Sequence, residues 1–441
     1  MIYLNFHKRI TPMVGALGAV ILCVFSTQAM TNETLWSYLA QNNNNLDLMD
    51  ITVTDEQIFV LGVKTRIIPW PMDSTAQSQS LLPPSQRKLL TVLNAKTGKE
   101  QVNWRREYPS LPDASEIYSS AATPDHHLCL VYGGEYGEQS TINPLVLRLD
   151  DKGDIAWFKQ ALPTVSVQGS HFLPSEQIAN LDAIKITAAG SNACLLALIT
   201  RSVHTNSETF RLHLIRYDGR GHIDWHRVLP TGLYGNMYLL QAADATRHFI
   251  VSTNLSRDAA LEAMFLGQPF VPQIKIATID SEGNLLPNTH QLQSLNGAWL
   301  NNVIATAPDS LILIGKKRNA WLARIQSDGQ LLNEYVDSDT TEGSYEYQAI
   351  VDRDKNGFII AHSGVLRLFD KQMHLQATLN IADITTQSYE NPNLSTQLPE
   401  DLAVEKLLPV SARDYLLFYK YGTRLMKIEL PSARQTVQPP G

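Results

Sequence analysis

Two half-motifs alternate along the whole chain, and that repetition limits the possible folds more than any single residue does. The first half-motif is an apolar strand, a tight polar turn and a second apolar strand. It reads DITVTDEQIFVLG from Asp50, IYSSAATPDHHLCLVYGG from Ile117, IKITAAGSNACLLALI from Ile184 and YLLQAADATRHFIVS from Tyr238. It returns as VIATAPDSLILIG from Val303, AIVDRDKNGFIIAHS from Ala349 and LLPVSARDYLLFYK from Leu407, which makes seven copies. The second half-motif is an alternating strand, a turn of Asp or Asn with Gly, and a more polar strand. Its copies start at Leu89, Leu145, Leu212, Ile274, Trp321, Val365 and Arg424; the sixth has lost the Gly and the seventh is the weakest. Period-two alternation marks half-buried strands, and Gly supplies the positive φ that a tight hairpin needs. Each pair of half-motifs therefore gives four antiparallel strands, A to D. Four strands cannot bury both of their faces alone, so neighbouring units must stack. The expected fold is all-β, a seven-bladed β-propeller over residues 50–437, with a solenoid as the structural alternative.

The A–B and C–D turns are short in every unit. The long connections are Lys64 to Arg87, Leu162 to Leu181, Ser256 to Phe270 and Ile381 to Val404, and all are B–C or D–A connections. Antiparallel geometry places every such connection on one face of a ring. Loops on a rigid scaffold usually carry binding and catalysis, so that face and the mouth of the central channel are where a site is expected.

Residues 1–29 read as a secretory signal peptide. His7, Lys8 and Arg9 are basic, Met13 to Phe25 is apolar, and Thr27 and Ala29 are the small residues of a cleavage site. The run is too short for a membrane span, so the expected location is periplasmic or secreted, with no transmembrane span after cleavage. Residues 30–49 form an N-terminal extension in which Leu35, Trp36, Tyr38 and Leu39 are expected to make one amphipathic turn under the ring. Residues 438–441 are a tail. The net charge of −7 argues against a nucleic-acid partner.

Of the 3 cysteines, Cys129 and Cys194 lie outside the leader. They fall in the B strands of neighbouring units, one residue out of register, and so point to opposite faces. This favours two buried thiols over a disulfide.

Asn94-Ala95-Lys96-Thr97-Gly98-Lys99, followed by Trp104, and Trp157 and Trp225 after Gly153 and Gly221, resemble the blade signature of quinoprotein-like propellers. Pro124-Asp125 and Pro308-Asp309, with Arg148, Arg216 and Arg324 in the C strands, are also similar to short repeats of bacterial exported proteins. The resemblance implies the propeller fold. It does not extend to a quinone, because an adjacent cysteine pair and a quinone-binding set are absent. Trp104, Trp157 and Trp225 are expected to pack blade on blade rather than to form a carbohydrate platform.

Asp352-Arg353-Asp354-Lys355-Asn356-Gly357 has the spacing of the front of a calcium loop, which makes Asp352, Asp354 and Asn356 a candidate cation set. The Glu required at position twelve is replaced by Ser363, and the segment is also an A–B turn, where polar residues are needed anyway. His222 and His226 lie on one strand, roughly 13 Å apart, too far to share a metal. His126 and His127 sit at a turn and are read as solvated. H-E-x-x-H, C-x-x-C and G-x-S-x-G motifs are all absent. No catalytic residue is assigned and no cofactor is expected, calcium at the sixth unit being the exception considered. The functional expectation is an exported, monomeric, non-catalytic scaffold that binds a protein or polysaccharide through its insertion-bearing face. The alternative is a glycan hydrolase or lyase with paired acids in the channel mouth. A quinone-dependent dehydrogenase is the third reading.

Overall fold

The structure, a computed structural model, describes residues 37–39, 46–53, 57–65, 86–99, 106–107, 117–132, 144–161, 177–178, 183–204, 207–231, 235–242, 244–254, 272–287, 290–291, 295, 297–337, 347–353, 357–362, 364–381, 404–411, 413–419 and 424–430. These form seven antiparallel sheets, the seven blades of a β-propeller. Blade 1 runs Leu46–Val53, Gln57–Thr65, Gln86–Asn94 and Arg106–Glu107 from strand A to D. Blade 2 runs Ile117–Ala122, Leu128–Tyr132, Leu145–Leu149 and Ile155–Gln160. Blade 3 runs Ile184–Ala188, Cys194–His204, Ser207–Tyr217 and Ile223–Thr231, with Gln177–Ile178 as an added fifth strand. Blades 4, 5 and 6 begin with A strands Met237–Gln241, Trp299–Ala307 and Ala349–Asp352. Blade 7 runs Lys406–Pro409, Asp414–Tyr419 and Arg424–Glu429.

The A strands touch their neighbours in cyclic order, blade 7 against blade 1 included. The apolar residues do not share one core. They divide into seven clusters, one per seam between blades. This is the outcome expected when one sheet cannot cover its own two faces.

The ring closes through the N-terminal extension. Ser37–Leu39 is a strand, not a helical turn, and pairs antiparallel with Arg424–Met426 as the outermost strand of blade 7. The seventh C–D half-motif is weak in sequence for this reason: its D strand comes from the other end of the chain.

Four of the C–D turns share one chemistry. Asp218 Oδ1 accepts the backbone N–H groups of Arg220 and His222, and Asp150, Asp280 and Asp370 do the same in their turns. In the sixth unit, where Gly is missing, Met373 takes the left-handed conformation instead, at φ 69°. Its side chain is buried in the seam between blades 5 and 6, so packing offsets the backbone strain.

Each turn is also gripped by the preceding blade. Arg148 Nη1 donates to Gly219 O at 2.9 Å, and a Cβ on Gly221 would lie 2.8 Å from the indole of Trp157. Trp225 Nε1 donates to Ser281 O at 3.2 Å above Gly283. Arg324 donates to Lys371 O at 2.8 Å and Asn333 to Gln372 O at 2.9 Å. Trp157 and Trp225 are thus packing residues; Trp104 lies outside the described residues.

Two seam histidines set an acid limit. Burial pushes His248 below the ordinary histidine value, as does the charge of Arg216. Burial likewise lowers His362, whose neighbour Arg367 adds to the effect. The unfolded chain takes up protons there below about pH 6.5 while the folded chain does not, so stability falls with pH in that window. The slope reaches about 1.4 kcal/mol per pH unit for each histidine. A further loss follows below the ordinary carboxylate range, where Asp218, Asp280 and Asp370, held low by turn hydrogen bonds against a desolvation effect that raises them, must take up protons. Thermal midpoints between pH 8 and 5 should therefore fall in the wild type and fall less in His248→Gln. A midpoint that is level across this range would contradict this.

Candidate functional site

Blade 3 differs from the others on the insertion-bearing face. Its B and C strands run 11 residues each, against 9 in blade 1, 7 in blades 4 and 5, 6 in blade 7 and 5 in blades 2 and 6. Register fixes where the excess lies. Cys194 pairs with Tyr217 beside the C–D turn, as Leu128 pairs with Leu149 in blade 2. Relative to blade 2 the added residues, Ile199 to His204, extend on the B–C side by about 20 Å at 3.3 Å per residue, and relative to the 9-residue strands of blade 1 the excess is two residues, about 7 Å. The ladder continues to His204 paired with Ser207, and Gln177–Ile178 pairs with Arg201 and Thr200 on the other edge. The D strand is also long, 9 residues. The result is a rigid wall on the face where the long connections emerge.

The same B strand is fixed covalently to blade 2 at its other end, beside the C–D turn. Cys129 and Cys194 form a disulfide across the seam between blades 2 and 3, with Cα atoms 5.9 Å apart. This corrects the expectation of two free thiols. The one-residue offset does turn the side chains to opposite faces of their sheets. In a ring, however, adjacent blades present opposite faces to one another, so the offset brings the sulfurs together.

Higher on the same seam lies a polar trio. Thr200 and His213 are fully buried. Thr200 Oγ1 is 3.0 Å from His213 Nε2, and His213 Nδ1 is 3.0 Å from His226 Nε2. Reading the sequence along one strand compared His226 with His222, and that pair does not meet. His222 is exposed and bonds Asp218 instead. The partner of His226 is across the hairpin. The register set at the Gly221 turn pairs Ile215 with His226 and His213 with Val228, which puts the two histidines on one face.

The opposite face carries a shallow mouth. A cavity of about 220 Å³ is lined by the ends of A strands, including Val53, Ala122, Ala188 and Gln241, and by exposed His126. Beside it His127 is not simply solvated: it contacts Asp125 at 3.0 Å, and Asp125 also binds Arg148 at 2.8 Å. Burial alone would raise Asp125, but the Thr123 hydrogen bond and the charges of His127 and Arg148 prevail and hold it low. Near the channel, Asp50 is buried, accepts from Ser120 at 2.5 Å and pairs with Lys406 of blade 7.

Of the calcium candidates, Asp352 ends the A strand of blade 6, and Asp354 and Asn356 lie outside the described residues. Among the described residues no group of three or more His, Cys, Asp or Glu side chains is placed to hold a metal.

No family model matches the chain, and no curated protein matches it in sequence. Solved structures of similar shape include YCF48 bound to D1 peptide, at 13% identity over 90% of this chain and 95% of that one, with a TM-score of 0.49. BBS1N in complex with ARL6DN is similar at 12% identity over 80% and 89%, with a TM-score of 0.43. The β-propeller domain of the Trilobed protease from Pyrococcus furiosus is similar at 10% identity over 87% and 93%, with a TM-score of 0.42.

Proposed function

We propose that this protein is an exported, non-catalytic propeller that holds a protein partner on its insertion-bearing face. The observation that carries this reading is the blade-3 hairpin: it extends past the ring on the same face as the long connections, and its B strand is tied to blade 2 at the opposite end by Cys129–Cys194. A preorganised wall of this kind presents contact area with little ordering cost on binding. The disulfide also supports export, since such bonds persist in oxidising compartments, in accord with the basic, apolar and small-residue pattern of residues 1–29. The glycan-hydrolase alternative gains nothing from Asp50. That carboxylate is engaged by Lys406 and Ser120, whereas such chemistry needs a protonated acid and a second carboxylate. The similarity to quinoprotein-like repeats is kept as a likeness of blade signature.

The test is a pull-down from the native envelope or secreted fraction. The bait is the mature chain beside a variant in which Arg201 to Phe210 is replaced by Asn-Gly. A second variant, His126→Ala, alters the opposite mouth. Capture should be lost only with the trimmed hairpin. Capture that survives trimming, or is lost with His126→Ala, would sink the assignment of the face.

A further inference from the structure

The outer edges of the blades are not built alike. A strand at a sheet edge offers its outward N–H and C=O groups to any other chain, and folded proteins blunt such edges by shortness, charge or proline. The outermost strands of blades 1, 4 and 7 are 2, 2 and 3 residues long. Those of blades 2, 3 and 5 are longer, and they carry Lys159 in blade 2, Asp224, Arg227 and Pro230 in blade 3, and Glu334 in blade 5. Blade 6 ends in Leu375–Asn380, 6 residues reading LQATLN, with neither charge nor proline. It is the last strand of its sheet, and among the described residues no strand lies beyond it. Register identifies its outward groups. Ile381 N–H donates to Gly364 O, and Thr378 stands opposite Arg367 on the C strand. Inward hydrogen bonding therefore falls on Leu379 and Ala377, and the N–H and C=O of Thr378 point away from the sheet. The side chains of Ala377 and Leu379 pack on the seam between blades 6 and 7, so exposed Thr378 lies on the other face.

We propose that two copies of this chain pair through this strand, antiparallel about a two-fold axis at Thr378. In that register each Thr378 exchanges both backbone hydrogen bonds with its counterpart in the second copy. The two threonine side chains meet each other, and Ala377 meets Leu379 of the second copy, so polar faces polar and apolar faces apolar. A second copy is the occupant because this strand is its own complement. Self-pairing of the long outer strands of blades 2, 3 or 5 brings two like charges, from Lys159, Arg227 or Glu334, onto one shared edge. The interface is small by the standard of stable complexes, so the dimer forms as concentration rises. The chain is then not the monomer expected from the sequence, and the rim of blade 6 is a second contact surface beside the blade-3 wall.

The experiment is sedimentation equilibrium of the mature chain over a concentration series. The weight-average mass should climb from that of one chain toward twice that value. Thr378→Lys and Thr378→Glu should each stay at the mass of one chain, because the two-fold axis sets like charges face to face. Thr378 is exposed, so both variants keep the folded blade. Equimolar mixing of the two should restore association, since Lys then meets Glu across the axis. Thr378→Val, which keeps the strand and adds no charge, should associate as the wild type does. A wild type that stays single at every concentration, association that persists in both charged variants, or a mixture that stays single would each overturn the proposal.

Discussion

Removing the Cys129–Cys194 bridge is expected to lower the stability of the ring by about 4 kcal/mol, the chain-entropy value for a closed loop of this length. The cysteines are separated by 65 residues in sequence, and the bridge joins two blades rather than two strands of one blade. In the unfolded chain it removes many conformations; in the folded chain it joins B strands that already pack through Val131, Val146, Ile186 and Leu196. Cys129→Ala with Cys194→Ala is the variant to use, because serine would leave a hydroxyl in an apolar seam. The denaturant midpoint should fall with the slope nearly unchanged. Amide exchange should rise first along Cys194–Thr200, the strand that carries the projecting wall. Coincident midpoints for the paired alanine variant and the wild type would show that the seam is held by packing alone.

Gly221→Ala is expected to cost about 3 kcal/mol, from two sources that add. The residue sits at φ 79°, where a Cβ costs about 1–2 kcal/mol. That Cβ would also lie 2.8 Å from Cγ and Cδ2 of Trp157, the root of a ring that is buried and pressed against Tyr217. Overpacking of this kind adds about 1–3 kcal/mol. Gly297 supplies the control, at φ 83° with no atom within 4 Å of its would-be Cβ. Gly297→Ala should show the backbone cost alone. Chemical denaturation of both variants separates the contributions. Equal losses would mean that Trp157 yields freely and that the turn is not gripped by the neighbouring blade.

Much of this architecture is legible in the sequence because blades are built from local signals. The Asp–Gly turns, the period-two strands and the repeat-phased Arg148, Trp157, Trp225 and Arg324 each report a contact within one hairpin or with the next blade. What stays hidden depends on the ring. Ser37–Leu39 becomes a strand only because blade 7 lacks an outer strand, information that lies almost four hundred residues away. The disulfide is not legible from facing within one sheet, because a seam joins the opposite faces of two. Met373 shows that a lost Gly need not mean a lost turn when burial holds the side chain. The His213–His226 pair was accessible in principle: counting back from the Gly221 turn across the hairpin aligns them, and reading along a single strand does not. The length of the blade-3 hairpin was likewise present in the uninterrupted run from Cys194 to Tyr217, which reads as two strands once His204 and Ser207 are taken as a pair.

The partner-binding face can be tested by site-specific photo-crosslinking in the native host. Probes at Arg201 and Thr209 stand exposed on the blade-3 wall, and probes at Arg220 and Lys371 stand exposed on the C–D turns of the opposite face. A single discrete adduct from the first pair and none from the second is the expected result. Adducts from Arg220 or Lys371, with none from the wall, would contradict the proposed face directly.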